Sequence, residues 1–206
     1  MTNPGPRFRA ALVLAAEVHA DQRRKGTEIP YVAHVLAVTA IVLEHGGDED
    51  EAIAALLHDA VEDGGGRPML ERIRNEFGER VAMIVDGCTD AYVDPKPPWA
   101  ERKRAYLAEL ATEDDAVVLV SAADKLHNAT AILNDHRTVG DAVWGRFRAT
   151  PEETVGYYVA LAAVYRRRLP DTSLAEKVAR VVDDLTREAG VTPAGPERWT
   201  TGSTAT

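Results

Sequence analysis

Cysteine is all but missing from this chain: Cys88 stands alone among 206 residues. A single thiol excludes an internal disulfide and a cysteine-built zinc site. Basic charge is also scarce. Lys and Arg number 24 against 33 Asp and Glu, a formal net charge of −9, which argues against a nucleic-acid partner, because that needs a broad basic face. A small phosphorylated ligand remains open, since local charge outweighs the total. Arg23-Arg24-Lys25 and Arg102-Lys103-Arg104 are the two basic clusters, and either one taken alone reads as a solvated face. No apolar run approaches the ~20 residues that cross a bilayer, so no membrane partner is expected. The opening Met-Thr-Asn-Pro-Gly-Pro lacks the basic-then-apolar pattern of a secretory signal, and a reduced, cytoplasmic setting is the expectation. Alternating strand patterns are missing as well. The one β-prone run, Val117-Val118-Leu119-Val120, leads directly into a polar, helix-like segment.

What the chain does have is helical periodicity almost throughout. Its length suffices for one domain with a sizeable core. Phe8–His19 reads as a helix rich in Ala, Leu and Val. Val32, Val35, Leu36 and Leu43 recur at helical steps within Tyr31–His45, and Gly46-Gly47 stops that helix. Asp48 with Glu51 three positions on resembles a capping box, opening a helix that runs to about Asp63 and ends at Gly64-Gly65-Gly66. Further helices are expected over Met69–Phe77, Glu79–Cys88, Trp99–Leu110, Ala116 to about Leu133, Pro151–Arg168 and Ser173–Ala189. Tyr92–Pro98 reads as a loop, and Asp135–Thr150 gives no clear pattern. The expectation is one all-α domain over residues 8–189, a short N-terminal extension over 1–7, and a disordered tail over 190–206 rich in Thr, Pro, Gly and Ala.

One helix breaks the apolar rule. In Ala-Leu-Leu-His58-Asp59-Ala-Val-Glu62-Asp63 four ionisable residues fall within six positions of an otherwise apolar stretch, and burying such groups is costly unless they are paired or bind a metal. On a continuous helix His58 and Asp59 would point about 100° apart, close enough to reach one ion between them. Glu62 and Asp63 would repeat those directions a turn later, as carboxylates able to handle a proton of water. Two ligands are too few, and two other segments offer candidates: His34 on the most apolar helix of the N-terminal half, and Asp124 after an apolar run. Singly, each has an ordinary explanation, a satisfied core histidine or an ion-pair partner. Together, a mixed N/O set suited to Mn²⁺, Fe²⁺, Zn²⁺ or Mg²⁺ is the better account. His19, His45 and His136 read as surface residues, His127 as near the site without a role, and Cys88 as a small core residue.

These residues also resemble a known family. His34, His58-Asp59 and Asp124 reproduce the H…HD…D pattern of HD-domain phosphohydrolases. Arg24-Lys25-Gly26 with Pro30-Tyr31 and His34, Leu57 to Asp63, and Ala123-Asp124-Lys125-Leu126-His127-Asn128 are similar to the hydrolase domain of RelA/SpoT proteins, and the length is similar to its stand-alone, small alarmone hydrolase form. Trp144-Gly145-Arg146-Phe147 and Tyr157-Tyr158 also look like that subgroup. The resemblance covers roughly Phe8 to Arg168. It implies an HD-domain helical bundle, with His34, His58, Asp59 and Asp124 binding one Mn²⁺. It implies Glu62 and Asp63 as the catalytic pair acting on water, and Arg24, Lys25, Asn128 and Tyr157 as substrate-binding residues. The implied reaction removes the 3′-diphosphate of guanosine 3′,5′-bis(diphosphate) and related alarmones as pyrophosphate. The alternatives are an HD phosphohydrolase acting on another nucleotide phosphate, or a non-catalytic nucleotide-binding module. Two departures stand out: Val35 replaces the usual proline after the histidine, and Gly64-Gly65-Gly66 follows the acids.

Overall fold

The structure, a computed structural model, describes residues 5–90, 92 and 97–200. The regular structure of the described residues is all helical: α1 (Pro6–Val18), α2 (Val32–Glu44), α3 (Glu49–Leu57), α4 (Ala60–Gly64), α5 (Arg67–Phe77), α6 (Glu79–Cys88), α7 (Trp99–Leu110), α8 (Asp115–Val139), α9 (Pro151–Arg168) and α10 (Ser173–Ala189), with 3₁₀ turns at Gly140–Arg146 and Pro196–Arg198. No strand occurs among the described residues, only an isolated bridge between Arg23 and Pro30. The all-α single-domain expectation holds.

Local chemistry explains the boundaries. The side chain of Asp48 accepts from the Glu51 backbone N–H while Glu51 reaches back to the Asp48 N–H, a reciprocal cap worth ~1 kcal/mol. Thr150 and Glu153 repeat the device at the start of α9, where Pro151 occupies a first-turn position that has no N–H to lose. Gly78, at φ 93°, separates α5 from α6 in a conformation that favours glycine.

α3 is the buried axis. Ala52 to Leu57 are all fully buried, as a helix apolar all round must be, with α1, α2, α6 and α8 packed around it. α8, 25 residues and so about 37 Å long, crosses the molecule against α2, α3, α6, α9 and α10. Against the expectation of no apolar run of membrane length, Asp115–Arg146 has the length and apolar composition of a membrane span, but more than half of its apolar window is buried within the protein. That burial is what a core helix requires.

The structure corrects several expectations. The helix from Asp48 does not run on to Asp63. α3 ends at Leu57, His58 and Asp59 form a turn, and α4 begins at Ala60. α8 continues six residues past Leu133 to Val139, where Gly140 at φ 61° stops it. Residues 190–200 are ordered rather than a disordered tail: the Ala194 N–H donates to the Glu152 carbonyl at 2.9 Å, and Trp199 is buried. Burial of that large ring, the Ala194 backbone bond and the Arg198–Glu153 pair together hold the segment. Residues 201–206, 91 and 93–96, the last within the expected Tyr92–Pro98 loop, lie outside the described residues. His19 is buried rather than on the surface, 1% exposed, because α1 turns its last face inward.

Candidate active site

Three segments meet at one point: the start of α2, the turn after α3, and the middle of α8. The turn after α3 exists because the His58 side chain folds back and its Nδ1 donates to the Ala55 carbonyl at 2.8 Å. That bond fixes the tautomer and leaves Nε2 as the lone-pair nitrogen of the neutral ring. The break in the helix then swings Asp59 toward it, and Asp59 Oδ2 lies 3.0 Å from His58 Nε2. From α2, His34 Nε2 lies 3.6 Å from the same oxygen. From α8, Asp124 Oδ1 lies 3.2 Å from His34 Nε2 and 3.8 Å from His58 Nε2. Neither Nε2 atom makes a hydrogen bond, although both are buried.

Such orphaned nitrogens facing two carboxylates are the signature of a cation site. Single ligand atoms of His34, His58 and Asp59 lie within 4.8 Å of one another, and Asp124 closes the group from α8. Electrostatics agree. Burial alone would lower the His58 pKa, but the charges of Asp59 and Asp124 outweigh it and push the imidazole up to about 9. The two carboxylates thus demand a positive charge at this point, which a proton or a divalent ion can supply. Two imidazoles and two carboxylates form a mixed N/O set that fits a divalent metal.

A second layer holds these four residues. Tyr31 Oη donates to Asp59 Oδ2 at 2.5 Å. Asp124 is gripped on both oxygens, by the Asn128 amide and the Lys125 ammonium. His34 Nδ1 meets His127 Nδ1 at 2.8 Å. Burial, then the neighbouring His34 and Arg24, lower His127 to a pKa of about 4, so it is neutral at pH 7 and its Nδ1 can accept a hydrogen bond from the His34 Nδ1–H. That gives His127 a role the sequence did not: it turns His34 Nε2 toward the site. Partners of this kind orient ligands and raise their basicity.

The remaining candidates divide. Glu62 lines the cleft beside the cluster, together with Asp59 and Asp124. Asp63 is exposed and accepts from the Gln22 side chain at 2.8 Å, while Gln22 in turn accepts from the buried His19 Nδ1 at 2.6 Å. Arg24 donates to Asn128 Oδ1 at 2.9 Å, so Asn128 links the arginine to Asp124. Lys25 and Asn128 stand at the junction of three connected clefts of about 740, 540 and 390 Å³. The first is walled by Trp99 and Tyr157 and carries Lys25, Arg102, Lys103, Lys125 and Arg148. Arg102 and Lys103 are therefore not merely a solvated face: both turn inward onto Asp90, each at 2.5 Å. The sequence assigns no site role to Tyr31, Lys125 or Trp99, and reads Arg102 and Lys103 as a solvated face. Only Tyr31 and Lys125 sat inside motifs that could have flagged them.

The chain resembles proteins of known sequence and structure. A family model described as an HD domain matches residues 11–163. A probable GTP pyrophosphokinase of Mycobacterium leprae is 40% identical over 120 residues, 57% of this chain and 15% of that protein. A guanosine-3′,5′-bis(diphosphate) 3′-pyrophosphohydrolase of Aquifex aeolicus is 39% identical over 123 residues, 59% of this chain and 17% of that protein. The chain thus spans about a sixth of the length of these curated relatives. Among solved structures, a metazoan ortholog of SpoT described as hydrolysing ppGpp matches with a TM-score of 0.68 and 30% identity, over 92% of this chain and 99% of that one.

Proposed function

The chain belongs to the HD domain family, and on that premise we propose that it is a metal-dependent phosphohydrolase. Its reaction is removal of the 3′-diphosphate of guanosine 3′,5′-bis(diphosphate) as pyrophosphate. The observation that carries this reading is the juxtaposition of a four-residue cation site, a carboxylate beside it and a cavity lined by five cationic side chains. A hydrolase for a doubly pyrophosphorylated nucleotide needs all three. The metazoan SpoT ortholog, matched over nearly its full length, supports the choice of nucleotide.

His34, His58, Asp59 and Asp124 would hold one divalent ion, which we assign as Mn²⁺. When bound, such an ion lowers the pKa of water and offsets charge on the phosphoryl oxygens. The chain's own groups do the rest. Glu62, on the cleft wall, takes a proton from the attacking water. Asp63, exposed and held by Gln22, follows Glu62 directly in α4 and is assigned a supporting part in positioning it rather than a contact with that water. The water oxygen bonds to the phosphorus next to the 3′ oxygen, the bond to that oxygen breaks, and the 3′ oxygen leaves as a hydroxyl after taking a proton. Lys25, Arg102, Lys103 and Lys125 neutralise the diphosphates, whereas Arg24 and Asn128 present a rigid paired edge to the nucleoside. Tyr157 closes the wall of the phosphate lobe.

Pyrophosphate release from guanosine tetraphosphate, with Mn²⁺ and with Mg²⁺, Zn²⁺ or Fe²⁺ in its place, tests the reading. Release that is fastest with Mn²⁺ is the expected result, and none with any ion sinks the substrate assignment. Asp59→Ala should abolish both metal binding and turnover. Glu62→Gln should keep the metal and lose ~10²–10⁴-fold in rate, the usual range for a general base. Metal loss in that variant would contradict the role given to Glu62.

A further inference from the structure

The described C-terminal segment, residues 190–200, lies beyond the part of the chain that matches the family, which ends at 163, yet it reaches the wall of the cation-rich cleft. Trp199 is 5% exposed. Its ring centroid is 5.8 Å from that of Trp99 and 5.7 Å from that of Tyr157, and Trp99 and Tyr157 are themselves 5.8 Å apart. The three rings form a closed triangle. Two of its corners, Trp99 and Tyr157, line the cation-rich lobe, while Trp199 does not. Trp199 is therefore the outer support of a wall whose inner surface faces the lobe.

The segment is seated by specific contacts rather than draped. The Ala194 N–H donates to the Glu152 carbonyl at 2.9 Å. Arg198 pairs with Glu153, and the Trp199 indole N–H reaches the Ala194 carbonyl at 3.4 Å. α9 permits this approach through Gly156, where a Cβ would stand 2.7 Å from the Ala194 carbonyl oxygen. Tyr157 follows that glycine directly. Its hydroxyl is buried without a hydrogen-bond partner, and Lys103 Nζ stands 5.4 Å from its ring centroid. A buried phenol with no partner, beside an ammonium, is a group waiting for an anionic or polar ligand atom.

We propose that Trp199 is a positioning residue for the phosphate lobe: it sets the ring planes of Trp99 and Tyr157, and so the placement of the Tyr157 hydroxyl and Lys103 against a bound phosphate. The ligand class is a pyrophosphoryl group. The inference deepens the proposed function and rests on it for the natural substrate. Trp199 acts through the rings of Trp99 and Tyr157 in the wall of the lobe, so its loss acts on affinity and leaves the chemical step alone.

The test is the steady-state behaviour of the full chain with Trp199→Ala, Trp199→Leu and Trp199→Phe, together with metal content and binding of inorganic pyrophosphate. Each aromatic pair contributes up to about a factor of ten. Trp199→Ala should raise KM for guanosine tetraphosphate about tenfold, keep kcat within about threefold and leave metal content unchanged. Trp199→Leu keeps apolar bulk without the flat edge and should follow Ala, which preserves the test if the Ala variant fails to fold. Trp199→Phe should return KM to within about threefold of wild type. A purely structural role predicts the reverse pattern: kcat and metal content falling together, with Leu as good as Phe. That pattern, or an unchanged KM in both the Ala and Leu variants, overturns the inference. Should the wild type release no pyrophosphate, the substrate assignment is wrong. The role of Trp199 is then still decided by pyrophosphate binding, which the Ala and Leu variants must weaken.

Discussion

At the scale of single residues, the site is a set of solved burial problems. His34, His58 and Asp124 are buried polar groups that would each be costly alone. Every one is met by a partner that also aims it: Ala55 for His58, His127 for His34, and Asn128 with Lys125 for Asp124. The candidate quartet could be picked out in the sequence because ionisable residues on apolar helices need a common reason. Their supports were less so, because a tyrosine or a second histidine near a motif has many ordinary explanations, and only the fold brings Tyr31 Oη to Asp59. Burial, and then the Asp59 charge and hydrogen bond, hold the Tyr31 phenol far above its ordinary pKa, so it remains a donor at every working pH. Tyr31→Phe removes that donor and leaves the four ligands in place. The expected outcome is a loss of ~10–100-fold in metal affinity, read by titrating metal against activity and by calorimetry, with kcat largely recovered at saturating metal. A variant whose affinity equals wild type would show that Asp59 needs no such support.

At the scale of elements, most boundaries were legible because caps and glycines mark them. α7, α9 and α10 begin and end where turn residues and prolines place them. The missed features are those in which tertiary contact overrides local pattern. Nothing in the local sequence breaks the helix at His58; a side chain folding onto its own helix does. Beyond its apolar stripe, the end of α8 is held where His136 packs on Trp144 of the following 3₁₀ turn and Arg137 pairs with Glu188 of α10. The junction between α6 and α7 depends on one charge. Asp90, just past α6, accepts from Arg102 and Lys103 of α7. Burial would raise its pKa, but Lys103, then Arg102, hold it below the usual carboxylate value. A depressed native pKa contributes stability above the unfolded value of about 3.9, and that contribution is lost as pH falls through the native value. Asp90→Asn strands two largely buried cations and should cost roughly 2–4 kcal/mol at pH 7. The gap between variant and wild type, read by urea unfolding, should narrow below about pH 4. A gap that stays constant down to pH 2 would mean that the carboxylate charge is not what joins α6 to α7.

At the scale of the whole molecule, the proposed function asks a chain of net charge −9 to recruit a substrate that is itself strongly anionic. The acidic excess set the expectation that nucleic acid is not a partner. It did not reveal that five cations share one lobe, because Lys25, Arg102, Lys103, Lys125 and Arg148 come from separated stretches of sequence and only the fold gathers them. They are not equivalent. Lys25 and Arg148 are exposed at the rim, while Arg102, Lys103 and Lys125 are recessed. Salt screens exposed charges strongly and recessed ones weakly: the Debye length falls from ~10 Å at 0.1 M to ~3 Å at 1 M. The rim pair should therefore govern capture and the recessed trio retention. Raising salt across that range should increase KM by about threefold to tenfold and leave kcat within about twofold, since screening acts on encounter and ground-state binding rather than on a recessed chemical step. Lys25→Ala should raise KM at low salt and flatten its salt dependence, so that the two proteins converge near 1 M. Parallel salt curves for the two would place Lys25 among the recessed, contact-making cations instead, and would move the burden of attracting the substrate to Arg148 alone.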